Sequence, residues 1–182
     1  MSNLRKKKGF GLIEAIFGIT IAATLIVTFT TLNLNTIKVS QANIRELKAS
    51  LYAKELVEIG KDLEQSESGW DKISDLSEGS NCQKKFYPTV DNSDPSNPVW
   101  KINNPGIEKL DSGLYSRWII VESVFRNQLS FPNEVSSVGC PCDCASEGVS
   151  DPDTKKITAK VLWNENGQLK NVILEAYLYN YR

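Results

Sequence analysis

The residues with the clearest chemical potential in this sequence are one carboxylate and four thiols. Glu14 is the single ionisable side chain between Phe10 and Ile37, where all other residues are apolar, glycine, threonine or asparagine. A carboxylate within a membrane-spanning helix costs about 3 kcal/mol and usually has a partner or a function. The alternative is that Glu14 lies close enough to the membrane interface to reach the polar headgroups. Glu14 is therefore the first candidate for a functional residue.

The four thiols are unevenly distributed along the chain. Cys82 stands alone, whereas Cys140, Cys142 and Cys144 occupy a loop rich in Pro, Gly and Ser between Asn127 and Asp153. In an extracytoplasmic domain, four cysteines are expected to form two disulfides, for which three connectivities exist. A bridge between residues two apart is strained, so we favour Cys82–Cys142 with Cys140–Cys144. Four thiolates binding zinc are the alternative, although C-x-C-x-C differs from the usual C-x2-C spacing.

Two oxygen-rich segments, Asp91–Asn97 and Asp151–Asp153, are candidates for calcium binding. The EF-hand pattern fails in the first segment, because Ser96 stands where Gly is required and Ile102 where Glu is required. Turn formation explains both segments. We therefore predict no metal site.

The composition argues against catalysis. The 182 residues include no histidine, which removes Ser-His-Asp and Cys-His nucleophile activation and every His-containing metal site. The sequence also has no Gly-rich phosphate-binding loop. We therefore predict that the protein is not an enzyme and needs no cofactor.

The charge distribution argues against nucleic acid as a partner. Four of the 21 basic residues lie at Arg5, Lys6, Lys7 and Lys8. The rest of the chain has 17 basic and 22 acidic residues, so its net charge is negative. Binding to a phosphate backbone depends on clustered Lys and Arg, which this mildly acidic body lacks. The basic-aromatic groups at 84–87 and 117–118 could contact DNA by stacking, but such residues are more often strand surface and core.

The amino-terminal segment predicts a membrane anchor. Apolar residues run from Phe10 to Leu34, and about 20 helical residues cross the hydrocarbon layer. A secretory signal would have a shorter apolar region, followed by a small-residue cleavage site. The four cations at 5–8 precede the span, so the positive-inside rule leaves residues 1–8 in the cytoplasm. We expect a single pass through the cytoplasmic (inner) membrane and an extracytoplasmic body.

The stretch "KKKGFGLIEAI", Lys6–Ile16, resembles the processing site of type IV prepilins and pseudopilins. These proteins have a short basic leader, a Gly, usually a Phe, a Glu four residues further on, and an apolar helix. The resemblance implies cleavage between Gly9 and Phe10 by a prepilin peptidase, followed by N-methylation of Phe10. Gly11 stands where the family commonly has Thr.

The resemblance also implies partners and a role for Glu14. The expected partners are other pilin or pseudopilin subunits, the inner-membrane assembly machinery and, before assembly, membrane lipid. Cleavage would create an α-ammonium group on Phe10, one helical turn from Glu14. In a filament core of low dielectric this charge pair is tolerable, whereas either charge alone is strongly unfavourable. Glu14 is therefore expected to direct assembly.

The rest of the sequence predicts a long helix and a sheet. No proline occurs before Pro88, and apolar residues recur at spacings near three or four as far as Leu63, so we predict one helix over Phe10–Gln65. Its second half should pack through an apolar stripe: Ile37, Ile44, Leu47, Leu51, Leu56, Ile59 and Leu63.

Strand-like alternation follows the helix at 84–90, 98–103 and 115–125. Ile157, Ala159, Val161 and Trp163 then share one strand face, and Asn166-Gly167 predicts a hairpin turn before a last strand.

The predicted fold is α+β and pilin-like, with a small antiparallel sheet packed against the long helix. The domains are a cleaved leader (1–9), a helix (10–66) whose transmembrane or filament-core half covers about 10–36, and an extracytoplasmic head (67–182). The expected function is that of a structural subunit, a minor pilin or pseudopilin, of a type IV pilus-like filament at the cell surface or in the periplasm. Alternatives are a filament-tip adhesin or DNA-uptake receptor, and a membrane-anchored extracytoplasmic enzyme.

Overall fold

The computed structural model describes residues 10–65, 69–77, 84–92, 99–126, 135–139 and 149–180. Helix α1 covers Phe10–Gln65, its 56 residues matching the predicted bounds, and a short helix α2 covers Gly69–Ser77. The chain forms two compact units, Met1–Arg45 and Glu46–Arg182. The first unit contains the apolar part of α1, and the second contains the end of α1, α2 and a sheet.

The described residues form one antiparallel sheet of seven strands. Its main path runs in the order β2-β1-β4-β6-β7, with β3 and β5 also paired to β4. A 3-10 turn at Asp111–Gly113 separates β3 from β4. The strands are β1 (Phe86–Asp91), β2 (Val99–Pro105), β3 (Glu108–Leu110), β4 (Tyr115–Arg126), β5 (Val135–Gly139), β6 (Val149–Glu165) and β7 (Gln168–Tyr179).

The predicted terminal hairpin is confirmed. Asn166 and Gly167 join β6 to β7 with φ angles of 52° and 81°, which is the two-residue turn that matches the twist of the strands. The side chain of Asn164 accepts a hydrogen bond of 2.9 Å from the Gly167 N–H. From this turn the register runs without a shift to the pair Thr154 and Tyr179.

The long loop predicted between Asn127 and Asp153 is partly wrong. Within it lie β5 and the first residues of β6, both of which pair with the end of β4. A register shift on β6, where Val124 pairs with Asp151 after Ser123 pairs with Lys155, separates this part from the predicted strand. The irregular stretch broke the alternation that would have marked the strand in the sequence.

Helix α2 was not predicted either. It lies directly after the predicted end of α1, in the segment rich in Ser, Gly and acidic residues. Its apolar residues Trp70, Ile73 and Leu76 are buried with the end of α1 and the sheet. A helix of this length depends on tertiary packing rather than on its own propensity.

The face of α1 that packs on the sheet differs from the predicted stripe. Leu56, Ile59 and Leu63 are buried as expected, but Leu47 and Leu51 are 62% and 57% exposed. Ile37 and Ile44 in the first unit are also exposed. The fully buried residues upstream are instead small, because Ala49 and Ala53 pack against large aromatic side chains. These are Tyr115 and Trp163.

Gly60 marks the closest approach of α1 to the sheet. A Cβ atom added at Gly60 would lie 2.4 Å from Cδ1 of Ile157, a side chain that is itself fully buried. A side chain at position 60 would therefore require Ile157 to move, which favours glycine here although glycine within a helix costs about 0.5–1 kcal/mol relative to alanine.

We expect Gly60→Ala to lower the free energy of unfolding by about 1–2 kcal/mol, because it overfills the contact with Ile157. In an Ile157→Val background, which lacks the clashing Cδ1 atom, the same change should be neutral or stabilising by about 0.5 kcal/mol. Urea unfolding of the four chains in detergent, followed by tryptophan fluorescence, measures this coupling. Equal effects of Gly60→Ala in both backgrounds would contradict the packing described.

Candidate functional site on helix α1 and its anchor to the sheet

Glu14 lies in the second turn of α1, five residues into the helix counting Phe10 as the first. Its side chain is exposed and makes no ion pair with any residue that the structure describes. The large apolar side chains around it, Leu12, Ile13, Ile16 and Phe17, are between 54% and 72% exposed. The part of the helix between Phe10 and Ile37 therefore presents one carboxylate on an otherwise uncharged, largely apolar surface.

Helix α1 contains a stretch long and apolar enough to span a membrane, with a mean hydropathy of 2.2 over 18 residues. None of that stretch is buried by the protein itself. By length and composition this segment is suited to lipid or to the apolar surface of another chain. A signal sequence near the amino terminus can meet the same criterion of length and composition.

The threonines of this apolar segment satisfy their own hydroxyl groups. Thr24, for example, donates to the carbonyl oxygen of Thr20 at 2.9 Å, one turn back along the helix. Thr28 and Thr31 do the same with Thr24 and Val27 at 2.8 Å. In an apolar environment an unpaired hydroxyl is costly, so these internal bonds make the segment compatible with lipid. Equivalent bonds are formed by Thr20, Thr30 and Thr36.

Within the second unit, Arg117 fastens α1 to the sheet. Its guanidinium donates from Nε to Glu108 on β3 at 2.6 Å and from Nη1 to Glu55 on α1 at 2.8 Å. Only 5% of the Arg117 side chain is exposed, against 44% for Glu55 and 26% for Glu108. Burial alone would lower the pKa of Arg117, but the hydrogen bonds to Glu108 and Glu55 raise it above its usual value. The cation therefore joins three elements, α1, β3 and β4.

A second contact lies one to two helical turns before Glu55 on α1. The ammonium of Lys48 is 2.6 Å from Asp111 in the 3-10 turn. The hydrogen bond from Lys48 lowers the pKa of Asp111, and a bond with Tyr52 adds to the effect. The Tyr52 ring meets the Tyr115 ring edge-on at 5.4 Å and lies 5.7 Å from the Arg117 guanidinium carbon. Lys48, Tyr52, Glu55 and Arg117 thus form one anchor cluster.

The candidate calcium segment at Asp151–Asp153 is occupied by internal contacts. Asp151 pairs with Arg126 on β4 and accepts a hydrogen bond of 2.7 Å from Thr154. Burial would raise the pKa of Asp151, but the bonds from Arg126 and Thr154 lower it overall. Among the described residues, no group of three acidic, Cys or His side chains could hold a metal ion. Most of the other candidate segment, residues 93–97, lies outside the described ranges.

Two of the three aromatic rings in the basic-aromatic groups weighed for DNA contact are buried, and the third, Tyr87, is partly exposed. Phe86 is buried in the core, and Arg117 is committed to the anchor cluster. The Trp118 ring is 3% exposed and lies 4.6 Å from the Lys85 ammonium. Stacking with bases requires an accessible ring face, which Phe86 and Trp118 do not offer.

The described residues bring together a serine and a lysine that sequence reasoning missed. The ammonium of Lys155 on β6 is 3.3 Å from the hydroxyl of Ser123 on β4, which is 3.5 Å from that of Ser77 on α2. All three side chains are buried, with 0–3% exposure. An activated serine nucleophile needs access for a substrate, so this arrangement acts as a buried polar contact between α2 and the sheet.

A cavity of about 420 Å³ lies in the second unit beside α2. Leu63, Ile73 and Phe86 contribute apolar surface, and Lys72 and Lys84 contribute cations. A third cation, Lys101, is paired with Asp91.

The remaining predicted site residues lie outside the described ranges. These are the leader residues Arg5, Lys6, Lys7, Lys8 and Gly9, and the cysteines Cys82, Cys140, Cys142 and Cys144. Phe10 is the first residue of α1.

Comparison with known proteins gives no further assignment. No protein-family model, no curated protein and no solved structure matches this chain. The functional argument therefore depends on the residues themselves.

We expect Arg117→Met to lower the free energy of unfolding by about 3 kcal/mol, because it leaves Glu55 and Glu108 without their buried cation. A matched control is Lys54→Met, which removes an i,i+4 pair with Glu58 whose side chains are 68% and 60% exposed, and it should cost at most about 0.5 kcal/mol. Urea unfolding of the full chain in detergent measures both. If the two substitutions cost the same, the anchor cluster does not stabilise the fold.

We expect Asp151 to make the stability depend on pH in the acidic range. Its pKa in the folded state is lowered from 3.8, so its contribution is complete above the unfolded-state pKa and is lost as the pH falls through the folded-state pKa. The difference in unfolding midpoint between the wild type and Asp151→Asn should therefore shrink as the pH decreases below 3.8. Arg126→Gln should likewise reduce the dependence of the unfolding free energy on pH in this range. If the difference in unfolding midpoint between the wild type and Asp151→Asn stays constant as the pH falls below 3.8, the pairing of Asp151 with Arg126 is contradicted.

Proposed function

We propose that this chain is a structural subunit, a minor pilin or pseudopilin, of a type IV pilus-like filament. The observation that carries the proposal is the single exposed carboxylate of Glu14 near the start of an apolar helix whose surface the protein leaves uncovered. An isolated anchor needs no carboxylate at this depth, and the charge would cost about 3 kcal/mol at the centre of a bilayer. A neighbouring ammonium group removes that cost.

Removal of the leader would create this ammonium group. In the proposed function, the peptidase cuts between Gly9 and Phe10 and leaves an α-amino group at the first residue of α1. Glu14 then neutralises the amine of its own chain or of a neighbouring chain. Because an unpaired buried charge is strongly unfavourable, subunits in the wrong axial register are selected against.

Burial of apolar helix surface supplies the driving force in this proposal. Exposed apolar side chains continue along α1 beyond the length that a bilayer needs, through Ile37 and Ile44 to Leu47 and Leu51. Burying such side chains contributes about 1.5–3 kcal/mol each. An anchored monomer leaves these later residues in water, whereas a filament core can cover them. Their exposure therefore favours helix-to-helix assembly over simple tethering.

The second compact unit, here called the sheet unit, would form the exposed part of the subunit. Residues 46–182 form a compact unit, within which the anchor cluster and the small residues of α1 hold the end of the helix against the sheet. In a filament this unit would be carried on the outside and would face the periplasm or the surroundings of the cell. Minor abundance is favoured by the absence of a proline late in the apolar part of α1, where major pilins often have one.

We expect Glu14→Gln to reduce incorporation of the subunit into filaments at least about tenfold, because the Phe10 amine loses its counter-charge. Membrane insertion and removal of the leader should be unchanged. Glu46→Gln is the matched control, since Glu46 is also an exposed carboxylate on α1 but lies outside the apolar segment. Immunoblotting of sheared filaments and of the membrane fraction measures both quantities. Normal incorporation of Glu14→Gln would contradict the proposed pairing.

Mass spectrometry of the chain from its native membrane tests the proposal as a whole. The expected product begins at Phe10, carries an N-methyl group and lacks residues 1–9. A chain that keeps its first nine residues would overturn the filament assignment and leave a tethered ectodomain.

A further inference from the structure

Strand β7 is an open edge of the sheet in the part of the chain that the structure describes. Asn180 donates to the Asp153 carbonyl at 2.9 Å, so these two residues form a hydrogen-bonded pair. The next pair, Tyr179 with Thr154, is of the non-hydrogen-bonded kind, so the N–H and C=O of Tyr179 point away from β6. Because the register has no shift, every odd-numbered residue of β7 presents its N–H and C=O outward. An open edge of this kind is a template for another strand.

One end of this edge is closed by the protein itself. The outward N–H of Tyr179 donates to the carboxylate of Glu64 on α1 at 2.7 Å. The outward groups that remain belong to the odd residues from Leu169 to Tyr177. Ile173 is the midpoint of that segment.

Four large apolar or aromatic side chains along the open segment are exposed, and Lys170, Asn171 and Glu175 lie between them. Leu169 is 68% exposed, Ile173 47%, Leu174 36% and Tyr177 38%. Natural edge strands usually carry prolines, bulges or several charges that prevent pairing. Glu175, one of two charges in the strand, is already paired with Lys156 on β6 at 2.7 Å.

We propose that two copies of this chain pair antiparallel through β7, with the two-fold axis passing between the two Ile173 residues. This register aligns outward residues with outward residues, as the hydrogen-bonded pairs of an antiparallel sheet require. It places Leu169 opposite Tyr177, Asn171 opposite Glu175, and Ile173 opposite its own copy. No like charges face each other, and the aliphatic and aromatic cross-strand contacts are of the stabilising kind.

The pairing has a defined direction. Within the second unit α1 runs in the same direction as β7, because Val172 packs beside Ala49 and Ala53 whereas Tyr179 meets Glu64. A two-fold axis perpendicular to the sheet therefore sets the two α1 segments of residues 46–65 in opposite directions. The pairing does not depend on the proposed function.

The test uses the full chain in lipid nanodiscs that each hold one copy, so that only contacts between discs are measured. We expect sedimentation equilibrium to show pairing of wild-type discs at concentrations up to about 0.1 mM. Ile173→Lys and Ile173→Asp each place like charges across the two-fold axis and should weaken association at least tenfold. An equimolar mixture of the two variants should restore it. Val99→Lys, at a residue of similar exposure (44%) on the opposite edge strand β2, should have no effect.

Each other result would overturn the proposal. Wild-type discs that remain single would exclude the pairing, and discs that pair equally well with Ile173→Lys would place the contact elsewhere. Failure of the mixture to associate would exclude a two-fold axis at Ile173. Equal urea midpoints of the wild type and the variants would show that the variants are folded. Pairing can fail while the mature chain still begins at Phe10, so the two proposals are distinguished.

Discussion

The sheet unit depends on the close approach of α1 to β6. Three small residues, Ala49, Ala53 and Gly60, allow the helix to lie against Trp163, Tyr115 and Ile157. This contact decides which face of the helix is turned inward. It puts Glu55 within reach of Arg117 and leaves Leu47 and Leu51 on the solvent side. The buried polar contacts and the exposed apolar surface therefore have one common cause, which is the size of the side chains on one helix face.

The elements that were predictable from the sequence are those with long local signals. The absence of proline and the continuous apolar period marked α1, and the Asn166-Gly167 pair with its flanking alternation marked the last hairpin. The packed face of α1 was not predictable in the same way. A hydrophobic pattern assigns leucines to the buried face in preference to alanines. The large aromatic residues of the sheet, however, require small partners on the helix. Helix α2 is short and lies among polar residues, so its formation depends on contacts distant in sequence.

The candidate site shows the same division. Glu14 stood out in the sequence because a charge in an apolar run is visible without any structure. The role of Arg117 was not visible in the sequence, because its partners lie 62 and 9 positions away and meet only in the folded sheet. The open edge of β7 was equally hidden, since it follows from the strand order and from the alternation of hydrogen bonds rather than from composition.

The hydroxyl groups of the apolar segment have one more consequence. Each of the threonines at 20, 24, 28, 30, 31 and 36 bonds to a carbonyl oxygen of its own helix. Because donor and acceptor belong to the same helix, these hydrogen bonds are kept when the surroundings change from acyl chains to protein. The hydroxyl groups therefore do not oppose a transfer of the segment between the two environments. Extraction and reinsertion would then be governed by hydrocarbon contact and by the single carboxylate, without a separate barrier for each hydroxyl.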